Sequence, residues 1–172
     1  MNVTRIAHVC FNISDMDKSL DFYRDGLGFT VLYELTYGDV LARVKADAGN
    51  LPPDVDEGAI RFLTANQHNP WSVYLKVAPA QFLELFYAPP GAEPITDLAR
   101  RVAFQHFCLE VEDVDTAHAE LVANGITPES TPRVGPDNAK QFWIVDPDGN
   151  RVEIMQYTPE SLHILNGGIE IS

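Results

Sequence analysis

Apolar residues in this chain follow the period of a strand in some segments and the period of a helix in others. The segment from Thr4 to Ile13 is strand-like. The apolar residues that follow recur at spacings of four, three and four, as on one face of a helix, at Met16, Leu20, Tyr23 and Leu27. We therefore predict a strand and then a helix at the start of the chain.

The rest of the first half predicts three more strands and one irregular insertion. Phe29–Thr36 favours a second strand, and Trp71–Val77 and Gln81–Tyr87 favour two more. Between about Tyr37 and Pro70 the pattern weakens, and glycines, prolines and acidic residues indicate a loop-rich insertion. Inside this insertion, Ile60–Leu63 could form a short strand.

The second half repeats the order of strand, helix and paired strands. Phe104–Val111 is strand-like, and Val114–Asn124 is typical of a helix that ends before a glycine. Two strands at Gln141–Val145 and Arg151–Gln156 are predicted to form a hairpin. The turn between them is Asp146-Pro147-Asp148-Gly149, in which proline presets φ and glycine tolerates a positive φ.

These elements predict a single domain over residues 1–172, built from two similar modules. A chain of 172 residues with 45% hydrophobic residues is long enough for one sizeable core. The expected parts are a module at 1–90 with the insertion at about 37–70, a proline-rich linker at 89–101, a module at 102–157 and a C-terminal tail at 158–172.

Charge and hydropathy narrow the possible partners. The formal net charge of −13 argues against nucleic acid or an anionic membrane as a partner. The sequence contains no apolar run of the roughly 20 residues that a membrane span needs, and we find no signal segment at its start. We therefore expect a cytoplasmic protein whose two cysteines are reduced.

A short motif recurs in the two halves. The first copy is Ala7-His8-Val9-Cys10-Phe11, and the second is Gln105-His106-Phe107-Cys108-Leu109. The His and the Cys of the first copy thus recur 98 residues later (106 − 8 = 98). Each half also ends in an apolar strand with a carboxylate at its centre, at Glu84 and at Glu153. The halves therefore carry one His and one Glu at corresponding places.

The recurrence of these four residues favours a metal site. A single Glu on a half-exposed strand could point to solvent, and a single His could be a hydrogen-bonded core residue. Together, however, His8, Glu84, His106 and Glu153 supply two imidazoles and two carboxylates, which suit Ni, Co, Zn, Mn or Fe(II). The donor types alone do not choose among these ions.

Residues two positions from these four share their strand face and could line a pocket. Cys10 and Cys108 could line the cavity or act as soft ligands, but our interpretation is that they are small buried packing residues. Arg151 could bind an anionic substrate group or form a surface ion pair. The residues that flank the two Glu are Phe82, Phe86, Arg151 and Met155.

The motifs resemble the vicinal-oxygen-chelate superfamily, which includes glyoxalase I, methylmalonyl-CoA epimerase, extradiol dioxygenases and the fosfomycin and bleomycin resistance proteins. The residues that carry the resemblance are the His8 strand, the segment Ser19–Phe29 and the segment Asp146–Glu153. The resemblance implies an α+β fold in which two paired βαβββ modules form curved mixed sheets around a central metal-binding cavity. It also implies a homodimer, with sites formed within one chain or across a domain-swapped dimer.

Within that superfamily, the four-residue set resembles that of glyoxalase I, or lactoylglutathione lyase. The epimerases usually have Gln at the position of Glu84, and the dioxygenases use two His and one carboxylate, so Glu84 favours proton-transfer chemistry. Bacterial glyoxalase I enzymes hold glutathione with an Arg and an Asn at positions that are Asn12 and Ala88 here. The usual glutathione contacts are therefore expected to be absent.

The resulting hypothesis is a metal-dependent lyase, isomerase or epimerase that acts on a small oxygenated substrate. The metal would stabilise an enediolate, and Glu84 or Glu153 would be the catalytic base. One alternative is an Fe(II)-dependent ring-cleavage dioxygenase that uses His8, His106 and Glu153. Another is a metal-free protein of the bleomycin-resistance type that binds a small molecule.

Overall fold

The protein has an α+β fold with two four-stranded mixed sheets, which confirms the predicted fold class. A computed structural model describes residues 1–47, 55–89, 91–93, 102 and 104–169. Contacts divide the chain into a first unit, Met1–Met16 with Phe29–Ala92, and a second unit, Asp17–Gly28 with Glu93–Ser172. The central cavity that the resemblance implies stays a prediction.

The first sheet belongs to the first unit and has the strand order β1-β4-β3-β2. Its strands are β1 (His8–Ile13), β2 (Thr30–Thr36), β3 (Pro70–Ala78) and β4 (Gln81–Tyr87), and each lies within or close to a predicted strand. Strands β3 and β4 form an antiparallel hairpin, whereas β1 pairs with β4 in parallel. The first and last strands of the module therefore lie side by side.

Side chains of β1 alternate between a buried face and an exposed one. In β1, Phe11 and Ile13 are buried, whereas His8, Cys10 and Asn12 are exposed. This alternation is the period of two that a strand imposes. The core of this unit includes apolar residues of β3 and β4, namely Val73, Leu75, Leu83 and Leu85.

The insertion between β2 and β3 contains two helices, so the prediction of a loop-rich segment with a short strand was wrong. The helices are α2 (Tyr37–Ala46) and α3 (Glu57–Ala65), and the supposed strand Ile60–Leu63 lies in α3. Acidic residues there cap the helices. Asp39 and Thr36 form a reciprocal capping box, and the Asp56 side chain accepts a hydrogen bond from the Ala59 amide at 2.8 Å.

Other predicted parts have mixed outcomes. The glycine and prolines at the centre of the insertion lie outside the described residues, as does most of the expected linker at 89–101. The short helix α5 (Leu162–Leu165) lies in the tail. Among the helices of the described residues, none is both long and apolar enough to cross a membrane.

The second sheet has the same topology, with the order β5-β8-β7-β6. Its strands are β5 (His106–Glu110), β6 (Arg133–Val134), β7 (Lys140–Val145) and β8 (Arg151–Gln156), and helix α4 (Val114–Ala123) follows β5. Again the first and last strands, β5 and β8, pair in parallel. The core of this unit includes Val114, Leu121, Phe142, Ile144, Val152 and Ile154.

The predicted first helix belongs largely to the second unit, although its sequence lies in the first half. It begins as α1 (Met16–Leu20) and continues as a π-helical segment at Asp21–Gly26. Phe22 and Leu27 pack against the core of the second unit. The apolar face of this helix therefore contributes to a core that is otherwise built from the second half.

A buried carboxylate attaches this helix to the turn between β7 and β8. Asp146 is 4% exposed, and its carboxylate accepts hydrogen bonds from the Tyr23 hydroxyl at 2.8 Å and the Asn150 amide group at 2.9 Å. The backbone amides of Asp148 and Asn150 also donate to it. Gly149 adopts a φ of 87°, as the predicted turn requires. Four donors thus compensate the burial of one charge.

The environment of Tyr23 makes the stability of the fold sensitive to alkaline pH. Burial, followed by the charge and hydrogen bond of Asp146, raises the pKa of Tyr23 well above its ordinary value. An unfolded tyrosine ionises near pH 10, whereas the folded one stays neutral. Because the unfolded state then binds fewer protons, stability falls as the pH rises through and above this value.

We predict that Tyr23→Phe lowers the free energy of unfolding by about 1–3 kcal/mol at pH 7, because Asp146 loses one donor. The variant should also lose less stability than the wild type between pH 9 and about pH 11. Urea unfolding across this range measures both effects. Tyr33→Phe, which changes an exposed ring, is the matched control. If the free energy of unfolding fell equally with rising pH in all three proteins, Tyr23 would not be the group responsible.

Candidate metal centre

Each unit brings together one His and one Glu from strands that are distant in sequence. In the first unit, His8 Nε2 lies 3.9 Å from Glu84 Oε2, and the two side chains are 42% and 6% exposed. In the second unit, His106 Nε2 lies 3.2 Å from Glu153 Oε2, with exposures of 37% and 12%. Each predicted pair thus combines an accessible imidazole with a nearly buried carboxylate.

The strand register explains why the two pairs have the same arrangement. Cys10 is the direct neighbour of Glu84 across β1 and β4, and Cys108 is the direct neighbour of Glu153 across β5 and β8. Each His lies two residues before its Cys and therefore on the same face of the strand. Parallel pairing in this register places His and Glu diagonally across two neighbouring strands.

The internal repeat includes two aromatic residues that the sequence analysis missed. Tyr74 lies opposite Glu84, and Trp143 lies opposite Glu153. Their rings meet the imidazoles of His8 and His106 edge-on, at centroid distances of 5.9 and 4.8 Å. The signal was available, because both the aromatic pair and the Glu pair are 69 residues apart (143 − 74 = 69 and 153 − 84 = 69).

The interpretation of the two cysteines as small buried packing residues was wrong, because both are exposed. They lie on the same face of each sheet as the His and the Glu. Desolvation and then the Glu84 charge raise the pKa of the Cys10 thiol. Desolvation of the Cys108 sulfur, followed by the charge and hydrogen bond of Glu153, raises the pKa of Cys108 well above its ordinary value.

A hydroxyl group of β3 holds the Glu84 carboxylate. The buried Ser72 Oγ donates to Glu84 Oε1 at 3.1 Å, while Oε2 lies towards His8. Tyr74 lies opposite Glu84, and burial, followed by the interaction with the Glu84 carboxylate, raises the pKa of Tyr74 well above its ordinary value. One oxygen of Glu84 is therefore fixed by Ser72, and the other lies towards the imidazole.

Glu153 lacks the same support among the described residues. Gln141 occupies the position in β7 that Ser72 occupies in β3, again 69 residues later (141 − 72 = 69). The Gln141 side-chain amide lies instead against Gly135. A Cβ built on this glycine would be 3.0 Å from the amide nitrogen. Trp143, in the place of Tyr74, carries no hydroxyl. The two carboxylates are therefore anchored differently.

Arg151 forms the surface ion pair that the sequence analysis gave as one of its two interpretations. Its Nε and Nη2 both donate to Glu129 Oε2, at 3.2 and 3.1 Å. Its guanidinium also lies over the Trp143 ring, 4.2 Å from the centroid, and Arg151 is the register neighbour of His106. The guanidinium is held beside the second pair, with its charge balanced by Glu129.

The other predicted pocket residues differ in accessibility. Phe82 is half-buried and is the register neighbour of His8. Phe86 is also half-buried and meets the Trp71 ring edge-on at 5.1 Å. Met155 is buried, at 6% exposure. The two phenylalanines thus offer apolar surface beside the first pair, whereas Met155 offers little in the second unit.

The donor set of each unit is suited to a divalent metal ion. In the first unit, one donor atom from each of His8, Cys10 and Glu84 lies within 4.8 Å of the others. Ligands bound at about 2.0–2.3 Å from a shared ion are at most about 4.6 Å apart, so small side-chain rotations would bring these three donors to one ion. The side chains present therefore fit a metal, with nitrogen and oxygen donors in both units.

Comparisons with known proteins agree with this architecture. The model of the Glyoxalase/Bleomycin resistance protein/Dioxygenase superfamily matches residues 5–154. A glyoxalase family protein from Enterococcus faecalis is similar at 25% identity, with 88% of this chain and 97% of that chain covered and a TM-score of 0.62. A comparison with curated proteins gave no match.

Two further solved structures share the fold at lower identity. A lactoylglutathione lyase from Agrobacterium tumefaciens is 22% identical, covers 91% of this chain and 96% of its own, and has a TM-score of 0.55. TnmS3, an antibiotic binding protein from Streptomyces sp. CB03234, is 21% identical, covers 92% and 99%, and has a TM-score of 0.58. The same fold thus occurs in an enzyme and in a binding protein.

We predict that Ser72→Ala lowers the free energy of unfolding by about 1–3 kcal/mol, because it removes a donor from a buried carboxylate oxygen. Ser72→Thr keeps the hydroxyl and should restore part of the loss. Urea unfolding at neutral pH measures the difference. Equal midpoints for the Ala and Thr variants would show that the hydroxyl does not support Glu84.

Proposed function

This chain belongs to the Glyoxalase/Bleomycin resistance protein/Dioxygenase superfamily, and on that premise we propose that it is a metal-dependent lyase or isomerase of the glyoxalase I type. Its reaction would be a proton transfer at a carbon of a small oxygenated substrate. The observation that carries the proposal is the recurrence of the same His–Glu pair, at 3.9 and 3.2 Å, in two units of equal topology.

The proposed metal ligands are His8, Glu84, His106 and Glu153, which would together bind one divalent ion. Two neutral imidazoles and two carboxylates can hold Ni, Co, Zn, Mn or Fe. The bound ion would supply Lewis-acid stabilisation of negative charge on the substrate oxygens. The accessible imidazole edges support this assignment, since a substrate must reach the ion from solvent.

The proposed catalytic residues are the two carboxylates. One takes a proton from the substrate carbon and passes it to the neighbouring carbonyl oxygen, and the other takes the proton of the substrate hydroxyl and delivers it to the neighbouring carbon. The hydrogen bond from Ser72 supports a fixed role for Glu84. At the position in β7 that corresponds to Ser72, Gln141 lies against Gly135, so Glu153 is the better candidate for the carboxylate that moves to take the proton.

The proposed substrate is a small molecule with two adjacent oxygens, such as an α-hydroxy-carbonyl compound. Asn12 and Ala88 stand where bacterial glyoxalase I enzymes carry their glutathione contacts, so we propose a substrate that is not a glutathione adduct. The half-buried Phe82 and Phe86 offer apolar surface for the remainder of the substrate. A homodimer and a cytoplasmic location stay predictions.

We predict about one divalent ion per chain in protein purified without chelator or affinity metal. His8→Ala and His106→Ala should each abolish binding of this ion, because one shared centre needs both imidazoles. His68→Ala changes an exposed His outside the pairs and should leave the content unchanged. Elemental analysis after gel filtration measures the content.

The alternatives give different metal contents. Two ions per chain, with one retained in each single variant, would contradict a shared centre. Iron in the wild type, with oxygen uptake on a catechol, would favour the ring-cleavage dioxygenase. Protein that takes up none of the five ions would favour a binding module, in the manner of the antibiotic binding protein TnmS3, which has the same fold.

We predict that Glu84→Gln and Glu153→Gln each lower turnover by about 10²- to 10⁴-fold, the usual contribution of a general acid or base. The assay follows solvent deuterium entering the substrate carbon by NMR, with a panel of α-hydroxy-carbonyl compounds and hemithioacetals. Glu112→Gln, on an exposed residue, is the control. Unchanged exchange in both site variants would rule out the proposed mechanism.

A further inference from the structure

We propose that Cys10 is an additional metal ligand, whose sulfur joins His8 and Glu84 in a nitrogen–sulfur–oxygen donor set on the first unit. The inference rests on the proposed function, because it concerns the same ion. It makes the centre thiophilic, so that Zn²⁺ and Co²⁺ are bound in preference to Mn²⁺. On binding, the thiol releases its proton to solvent and the sulfur donates an electron pair to the metal.

The geometry of the first unit carries this proposal. Cys10 is the register neighbour of Glu84 and lies two residues after His8, so all three side chains are on the same face of the sheet. Their donor atoms lie within 4.8 Å of one another. An ion bound by His8 and Glu84 would therefore have the Cys10 sulfur within reach without a change of backbone.

The second unit provides an internal comparison. Cys108 has the same register with Glu153 that Cys10 has with Glu84. Among the described residues, however, only the first unit contains a group of His, Cys and Glu with all donor atoms so close together. The two thiols are equivalent in sequence and topology but not in donor geometry. This difference assigns the sulfur ligand to Cys10 alone.

Accessibility makes a sulfur ligand compatible with a substrate that binds through two oxygens. Glu84 is buried and hydrogen-bonded to Ser72, so releasing it from a metal would leave a buried charge. Cys10 is exposed. If one protein donor must give way to the substrate, the exposed thiolate can leave for solvent at the lowest cost.

The test is a Co²⁺ titration of metal-free, full-length protein followed by absorption spectroscopy. A thiolate ligand produces a near-ultraviolet sulfur-to-cobalt charge-transfer band, whereas His and Glu ligands give only the weaker visible ligand-field bands. We expect both sets of bands in the wild type and in Cys108→Ser. Cys10→Ser should keep the visible bands and lose the charge-transfer band.

A second measurement uses the wild-type chain, so it does not depend on the folding of a variant. Zn²⁺ should slow the alkylation of Cys10 by iodoacetamide and leave that of Cys108 unchanged, as followed by peptide mass spectrometry. Cys10→Ser should lower the affinity for Zn²⁺ by at least about 10- to 100-fold, which is the usual effect of losing a residue that hydrogen-bonds to a metal ligand. The affinity for Mn²⁺ should change much less.

The outcomes separate this inference from the proposed function. Visible cobalt bands without a charge-transfer band in the wild type would overturn the Cys10 assignment and leave the His–Glu centre standing. A charge-transfer band lost in Cys108→Ser but kept in Cys10→Ser would also overturn it. Absence of all cobalt bands, together with no Zn²⁺ protection of Cys10, would overturn both proposals.

Discussion

Parallel pairing of the first and last strand in each unit is the constraint on which the candidate site depends. His8 and Glu84 are 76 residues apart, and His106 and Glu153 are 47 apart (84 − 8 = 76 and 153 − 106 = 47). Parallel neighbours cannot be joined by a tight turn, so the rest of the module must lie between them. Helices α2 and α3 lengthen the first module without disturbing this pairing, because they fall between β2 and β3.

The buried face of each sheet fixes the register on which this pairing relies. A slip of one residue in β1 would send Phe11 and Ile13 to the exposed face and His8 and Cys10 into the core. Burial of the two apolar side chains therefore also positions the imidazole and the thiol. In this way the hydrophobic core determines where the polar chemistry lies, even though it contributes none of the donor atoms.

Much of the fold and both His–Glu pairs could be predicted from the sequence, because these depend on local periodicity and on repetition. Prediction failed where the outcome depends on cross-strand register or on capping. Acidic residues of the insertion were interpreted as loop residues, yet Asp39 and Asp56 cap helices. Ser72 was not identified because its contact with Glu84 depends on how β3 and β4 align, which neither strand encodes alone.

The segment Asp17–Gly28, which contains most of the first helix, has a consequence for how this chain can be divided. It is encoded before the linker, yet it packs in the second unit, and Tyr23 donates to Asp146 there. A fragment cut at the linker would expose the surface that Phe22 and Leu27 cover and remove a donor from a buried carboxylate. The boundary between the two sequence repeats is therefore not a boundary between independently folding units, because the second unit needs a segment of the first repeat.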